Sequence, residues 1–245
     1  MNATIDRLMS HRSIRKFTDR PINADLLSTL VCAGQAAASS SFLQGVSVIR
    51  ITDSELRGQL SEIAANQAYV RQAPEFLVFC ADLNRSSRCC AWHGEVATEG
   101  FTEQFIIATV DVALMAQNVV VAAESEGLGI CYIGAIRNNP ARVAELLQLP
   151  RGVYPVFGLC LGYPAQDPEI KPRLPLSVVM KENAYSEEGD QQSISQYDEQ
   201  VLEYYRTRTG GGKEFTWSQQ MAGMLSKEAR PHMRNFLKTQ GFEMK

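Results

Sequence analysis

The densest concentration of chemistry in this 245-residue chain is His11-Arg12-Ser13-Ile14-Arg15-Lys16-Phe17, which crowds an imidazole, three cations and a hydroxyl into six positions. Such a set suits an anion with several acceptor oxygens. Guanidinium and ammonium groups supply charge-assisted hydrogen bonds, and Ser13 adds a neutral donor. Ile5, Leu8 and Met9 recur at helical spacing just before the run, and a helix C-terminus favours cations, which accounts for one arginine. It does not account for Arg12, Arg15 and Lys16 together. A second candidate phosphate clamp is Lys171-Pro172-Arg173, where alternation puts both cations on one side of an extended chain. Arg206, Arg208 and Lys213 form a third group around Gly210-Gly211-Gly212, with Arg230 as an outlying fourth cation. A solvated basic turn or linker is the bland alternative for each. The net charge of -3 gives no general attraction for nucleic acid or an anionic membrane, so these cations must work locally.

Other polar groups stand where a ligand could use them. Ser39-Ser40-Ser41 closes an alanine-rich helical stretch and offers hydroxyls and amides, although serine clusters are also plain loops. Gln67 falls on a turn after a helix. Gly134-Ala135 follows a strand, a place where glycine lets a flat ligand approach the backbone. Gly127-Leu128-Gly129 is not a dinucleotide fingerprint, because that motif leaves a strand and opens a helix, whereas here a helix ends and a strand begins. Cys89, Cys90 and His93 lack a second cluster to complete a tetrahedral set, so no metal is expected and a surface loop accounts for the run. No Ser-His-acid triad or paired-carboxylate motif is found.

The elements that must position these groups follow from periodicity. Residues 21–38 predict a helix, 46–52 a strand, and Asp53 an N-cap for a helix through Leu60 and Ile63. Residues 75–81 form an apolar run suited to a central strand. The longest helical pattern runs over 101–126 and is closed by Gly127. Asp111, Gln117, Asn118 and Glu124 interrupt it too often for a membrane span, so it predicts a core helix shared across a subunit interface. Strands at 130–133 and 153–161 bracket a helix begun by Asn138-Asn139-Pro140 and reaching Leu149. Beyond residue 180 the chain turns polar, with helices at 194–208, 217–225 and 231–238. This gives a core over 1–180 and a helical extension over 181–245, with a mobile loop around 206–214, as parts of one domain. The first residues lack a secretory or transit pattern, and the six cysteines are scattered, so a cytoplasmic protein without a disulfide framework is expected.

Taken in order, His11-Arg12-Ser13-Ile14-Arg15, Ser39-Ser40-Ser41-Phe42-Leu43-Gln44, Ala116-Gln117-Asn118, Gly127-Leu128-Gly129, Tyr132-Ile133-Gly134, Lys171-Pro172-Arg173-Leu174-Pro175 and Thr216-Trp217-Ser218 resemble the flavin-dependent, oxygen-insensitive NADPH nitroreductase and flavin reductase family. The resemblance covers nearly the whole chain. It implies an α+β fold with a central, mostly antiparallel sheet flanked by helices, in an intertwined homodimer binding FMN at the interface. By position, His11, Arg12 and Ser13 would face the FMN phosphate and ribityl end, and Lys171 and Arg173 would complete the phosphate site. Arg15 would approach the N1/O2 edge of the ring and Gln67 its polar edge. Tyr132, Ile133 and Gly134 would border the cofactor near N5, and Ser39, Ser40 and Ser41 would serve it from the neighbouring subunit. Phe42 would line the substrate side, and Arg206, Arg208, Lys213 and Arg230 would select NADPH, with Arg208 foremost. Ala135 stands where the family usually has glycine.

The implied activity is two-electron ping-pong reduction of nitroaromatics, quinones or similar small aromatic acceptors at the expense of NADPH. Two alternatives stay open: a flavin reductase that hands reduced FMN to a partner oxygenase, and a flavin-binding module without turnover. The cation at Arg15 and the separate basic tail argue against the last.

Overall fold

The computed structural model describes residues 2–208 and 214–245. Lys213 and the three preceding glycines, expected to belong to the nucleotide-selecting loop, lie outside the described residues. The chain begins with helix α1 (Ala3–Met9), followed by α2 (Ala24–Gln35), strand β1 (Val46–Arg50), α3 (Ser54–Ile63), α4 (Ala68–Gln72) and strand β2 (Glu75–Asp82). Then come α5 (Asn84–Trp92), α6 (Thr102–Ser125), β3 (Gly129–Ile133), α7 (Pro140–Leu146) and β4 (Val153–Gly162). The remainder is helical, with α8 (Leu176–Val179), α9 (Asp190–Thr207), α10 (Trp217–Leu225) and α11 (Met233–Thr239).

The four strands form one antiparallel sheet in the order β1-β2-β4-β3. β2 sits inside it and is buried at every residue, which is why Glu75–Asp82 reads as a continuous apolar run rather than an alternation. Both faces are covered. On one, α2 and α6 pack Leu30, Val112, Val119 and Val120 against Leu77, Phe79 and Leu159. On the other, α3, α4 and α7 bring Leu60, Val70 and Val143 against Phe76, Val78, Ile133 and Cys160. The close approach of α2 to α6 depends on Gly34, where an added Cβ would lie 2.5 Å from Val119 Cγ2. The expected α+β class, with a central antiparallel sheet flanked by helices, is the observed one.

By packing, the chain divides into one compact unit reaching Asp167 and joined by Arg230–Lys245, and a second unit, Pro168–Ala229. Within the second, α9 buries Tyr197, Val201 and Tyr204 along one face, and Tyr197 meets Trp217 of α10 edge-on at 6.1 Å. One expectation is corrected. Cys89, Cys90 and His93, expected on a surface loop, lie on α5 and its C-cap, a helix of half-buried and exposed side chains whose apolar stripe is too weak to announce it.

Candidate functional site

The basic segment owes its position to a short helix and a sheet edge. α1 is capped by Asn2, whose Oδ1 accepts from the Ile5 amide at 3.0 Å, and it ends at Ser10. The chain then runs beside β3: the Ile14 amide donates to Ile130 O at 2.8 Å, and Phe17 bridges to Pro164 beyond β4. Ile14 is the buried anchor. It packs so tightly on β3 that a Cβ on Gly129 would fall 2.5 Å from Ile14 Cγ1, which gives Gly129 a steric reason that has nothing to do with phosphate binding.

Around that anchor the polar groups separate into two places. In the first, His11 Nδ1 lies 2.6 Å from Glu124 Oε1, and Arg12 Nη2 lies 2.7 Å from Asp167 Oδ1. Glu124 is only 8% exposed, near the end of α6, so the imidazole beside it offsets the cost of burying that carboxylate. Asp167 is 81% exposed at its side chain, and a pair of that kind contributes about 0–1 kcal/mol, so an incoming anion can replace it on Arg12. Arg7, Ser10, Arg12, Glu124, Gln166 and Asp167 border a cavity of about 440 Å³.

In the second place, the Arg15 guanidinium reaches the Tyr69 hydroxyl and stands close enough to Cys131 to act on it electrostatically. Burial raises the Tyr69 and Cys131 pKa values, and Arg15 opposes both rises. No carboxylate pairs with Arg15 among the described residues. Gln67, two residues before Tyr69, takes the N-cap position of α4 without using its side chain as the cap, which leaves the amide for another partner. Ile133 is buried on the same sheet face as Cys131, and Gly134 opens a 3-10 turn, Gly134–Asn138, where a Cβ would come 3.2 Å from Arg137 Nη2. Ala135 packs half-buried against that core. The Tyr132 ring belongs to the opposite face, edge-on to Phe157 at 4.9 Å, and its pKa is pushed up to about 12 by burial and then by Glu124. Only the backbone of Tyr132 is therefore left to meet a ligand on the Arg15 side.

The serine segment is built on a residue that sequence reasoning used only as an argument against a membrane span. Asp111 of α6 is buried, and its carboxylate accepts from Ser39 Oγ at 2.7 Å, Ser40 N at 3.3 Å and Gly45 N at 3.1 Å. That commits the Ser39 hydroxyl and leaves those of Ser40 and Ser41. Ser41, Phe42 and Gln44 all have positive φ, at 49°, 56° and 54°, a conformation that non-glycine residues adopt at a cost, and Phe42 is 80% exposed. A strained turn that presents an aromatic ring to solvent is a recurrent design of binding loops. An acid inside an otherwise apolar helix was the available signal for both Asp111 and Glu124.

In the second unit, Lys171 Nζ donates to the Tyr205 hydroxyl at 2.9 Å, and the Tyr197 hydroxyl donates to Pro172 O at 2.9 Å. Arg173 lies near enough to Tyr197 to oppose the rise that burial causes in its pKa. Arg206 pairs with Glu214 at 3.6 Å, and the Arg208 guanidinium sits 5.6 Å from the Tyr204 ring centroid. Arg230 belongs instead to the first unit, where its Nε donates to Asn138 Oδ1 at 3.1 Å. Among the described residues no group of three His, Cys, Asp or Glu side chains could hold a metal ion.

Fold and site together describe an α+β protein with a basic segment beside the edge of its sheet and an arginine without a carboxylate partner among the described residues, groups suited to a phosphorylated ring that takes up negative charge. The profile of the nitroreductase family matches residues 8–163, and that of the family's C-terminal domain matches 171–245, so the chain belongs to the nitroreductase family. It is 49% identical over 241 residues to the NADPH-flavin oxidoreductase of Vibrio harveyi, covering 98% of both chains. To the oxygen-insensitive NADPH nitroreductase of Salmonella typhimurium it is 47% identical over 242 residues, covering 99% of both. The solved structure of the Vibrio harveyi NADPH:FMN oxidoreductase complexed with NAD+ superimposes with a TM-score of 0.89 at 48% identity, covering 98% of each chain.

Proposed function

We propose that this protein is an FMN-dependent oxidoreductase that uses NADPH to reduce nitroaromatics, quinones or related flat acceptors in two-electron, ping-pong fashion. The observation that carries the reading is Arg15, a guanidinium without a carboxylate partner among the described residues, held against Tyr69 two residues from Gln67. A fixed cation there stabilises negative charge on a reduced ring. FMN, when bound, supplies the hydride-accepting centre. The chain's own residues bind and orient it. His11, Arg12 and Ser13 take the phosphate and ribityl end, and the resemblance assigns Lys171 and Arg173 to the same phosphate. Gln67, the backbone at Tyr132 and Ile133, and Gly134 border the ring. Ser40 and Ser41, with Ser39 holding their turn, serve the cofactor of a second copy in a homodimer, and Phe42 lines the acceptor side. Arg206, Arg208 and Lys213 read the 2′-phosphate of NADPH. In this reading residues 1–180 are the cofactor-binding core, and 181–245 are a helical extension of the same domain in a cytoplasmic enzyme.

Purified protein is expected to be yellow, to bleach anaerobically on addition of NADPH faster than with NADH, and to recover its colour on addition of a nitro compound or quinone. Colourless protein that cannot be reconstituted with FMN overturns the reading. A flavin reductase role has support in the 49% identity to an NADPH-flavin oxidoreductase. Turnover of free FMN well above that of nitrofurazone or a quinone would favour it.

A further inference from the structure

Lys171 and Arg208 have separate assignments in the reading above, one to the cofactor phosphate and the other to the nucleotide. One side chain touches the surroundings of both. Tyr205 is half-buried on α9, and its hydroxyl accepts from Lys171 Nζ at 2.9 Å while its ring centroid lies 5.1 Å from the same ammonium. The ring meets Phe215 at 4.9 Å and Tyr204 at 5.4 Å, and Tyr204 carries the Arg208 guanidinium at 5.6 Å. Arg206 and Glu214 join the same two stretches of chain, but at 3.6 Å and with side chains 52% and 68% exposed that pair contributes little. The aromatic contact between Tyr205 and Phe215 is one of several ties between the described residues on the two sides of 209–213, with the Tyr197–Trp217 ring contact and the hydrogen bonds from Ser218 to Asp198, and it is the aromatic one that adjoins Arg206 and Arg208 in sequence.

We propose that Tyr205 is a positioning residue for both nucleotides: its hydroxyl orients Lys171 for the FMN phosphate, and its ring, through Tyr204, sets Arg208 for the 2′-phosphate of NADPH. The inference rests on the function proposed above. A lysine ammonium has three donors, so the one given to Tyr205 leaves two for phosphate oxygens. Its long stem is costly to immobilise, and holding it in place before the ligand arrives removes part of that cost from binding. The two halves of the proposal use different atoms of one residue, which makes them separable.

The test uses the full-length protein and three variants, with FMN affinity measured by titrating flavin-stripped protein and nucleotide preference measured as the NADPH to NADH ratio of kcat/KM. Tyr205→Phe keeps the ring and loses the hydroxyl. It should weaken FMN binding about tenfold, the scale of one charge-assisted hydrogen bond, and leave the nucleotide ratio within about twofold of wild type. Tyr205→Leu should lose FMN affinity to the same extent and also lower the nucleotide ratio about tenfold through the KM for NADPH. Phe215→Leu reaches the ring contact from its other side. It should lower the ratio with FMN affinity kept, so the inference stays testable if Tyr205→Leu does not fold. Wild-type FMN affinity in Tyr205→Phe overturns the hydroxyl's role, and an unchanged nucleotide ratio in Phe215→Leu overturns the ring's. Wild-type protein that binds FMN and prefers NADPH while all variants behave like it defeats this inference alone. Wild-type protein that does neither defeats the proposed function with it.

Discussion

Arg15 differs from several cations of the chain in having no carboxylate partner among the described residues. Arg12 is met by Asp167, Arg50 by Glu75 and Arg206 by Glu214, whereas Arg15 reaches a phenol and acts on a nearby thiol only electrostatically. A cation left unneutralised beside a sheet edge is available to a ring that gains negative charge, and its loss should be felt in chemistry as well as in binding. Arg15→Ala is expected to weaken FMN binding by roughly 1.5–3 kcal/mol and to slow flavin reduction by NADPH. Lys171→Ala and Arg173→Ala should raise the FMN dissociation constant on the same scale while the bound flavin is reduced at the wild-type rate. Stopped-flow reduction of reconstituted protein separates the two, and equal loss of rate in all three variants would remove the distinction. The sequence made these cations conspicuous because charge is local information. It did not show which were already neutralised, since Asp167 stands 155 positions from Arg12 and Glu124 is 113 positions from His11.

At the scale of elements, strands and helices were legible wherever burial followed a simple period. β2 was evident because both of its faces are covered, and α9 and α10 because each carries one apolar stripe. Asp53 and Asn139 cap their helices as expected, accepting from Leu56 N and Arg142 N. α5 was not legible, since its contacts are partial and its sequence polar. The turn at 39–45 was hidden for a different reason: three positive φ values at non-glycine residues give no sign in a sequence, and Asp111, which stabilises them, lies 66 to 72 positions away. That dependence predicts the effect of removing it. Asp111→Ala leaves the buried Gly45 amide and the Ser39 hydroxyl without their acceptor, and should destabilise the protein by about 2–4 kcal/mol. It should also relax the turn that presents Phe42, raising the KM for nitroaromatic acceptors. Denaturant melts and acceptor kinetics report these separately, and a wild-type midpoint would show that Asp111 does not hold the turn.

For the molecule as a whole, α6 poses the main physical question, because Thr102–Ser125 is long and apolar enough by composition to cross a membrane. Its packing answers differently. One side is buried against α2 and the sheet and carries the hydrogen-bonded acids Asp111 and Glu124. The other exposes Ile106, Val110 and Leu114 at 47%, 49% and 42%, one above another at four-residue spacing. Beside α6 lies α1, with Ile5, Leu8 and Met9 also exposed. A second copy of the chain is the occupant that suits this surface. Under the proposed function, a twofold axis would bring the same stripe from both subunits together and would carry the serine turn that Asp111 holds toward the neighbouring subunit's cofactor. Burying these side chains contributes about 1 kcal/mol each, counted twice by symmetry, so folding and association should be linked. Sedimentation at low micromolar concentration is expected to show a dimer. Leu114→Glu places a charge in the stripe of each subunit and should dissociate the dimer, with loss of bound flavin and a lower Tm that depends on protein concentration. A folded wild-type monomer that keeps its flavin at those concentrations, or a Leu114→Glu variant that sediments as the wild-type dimer, would show that α6 does not form the contact.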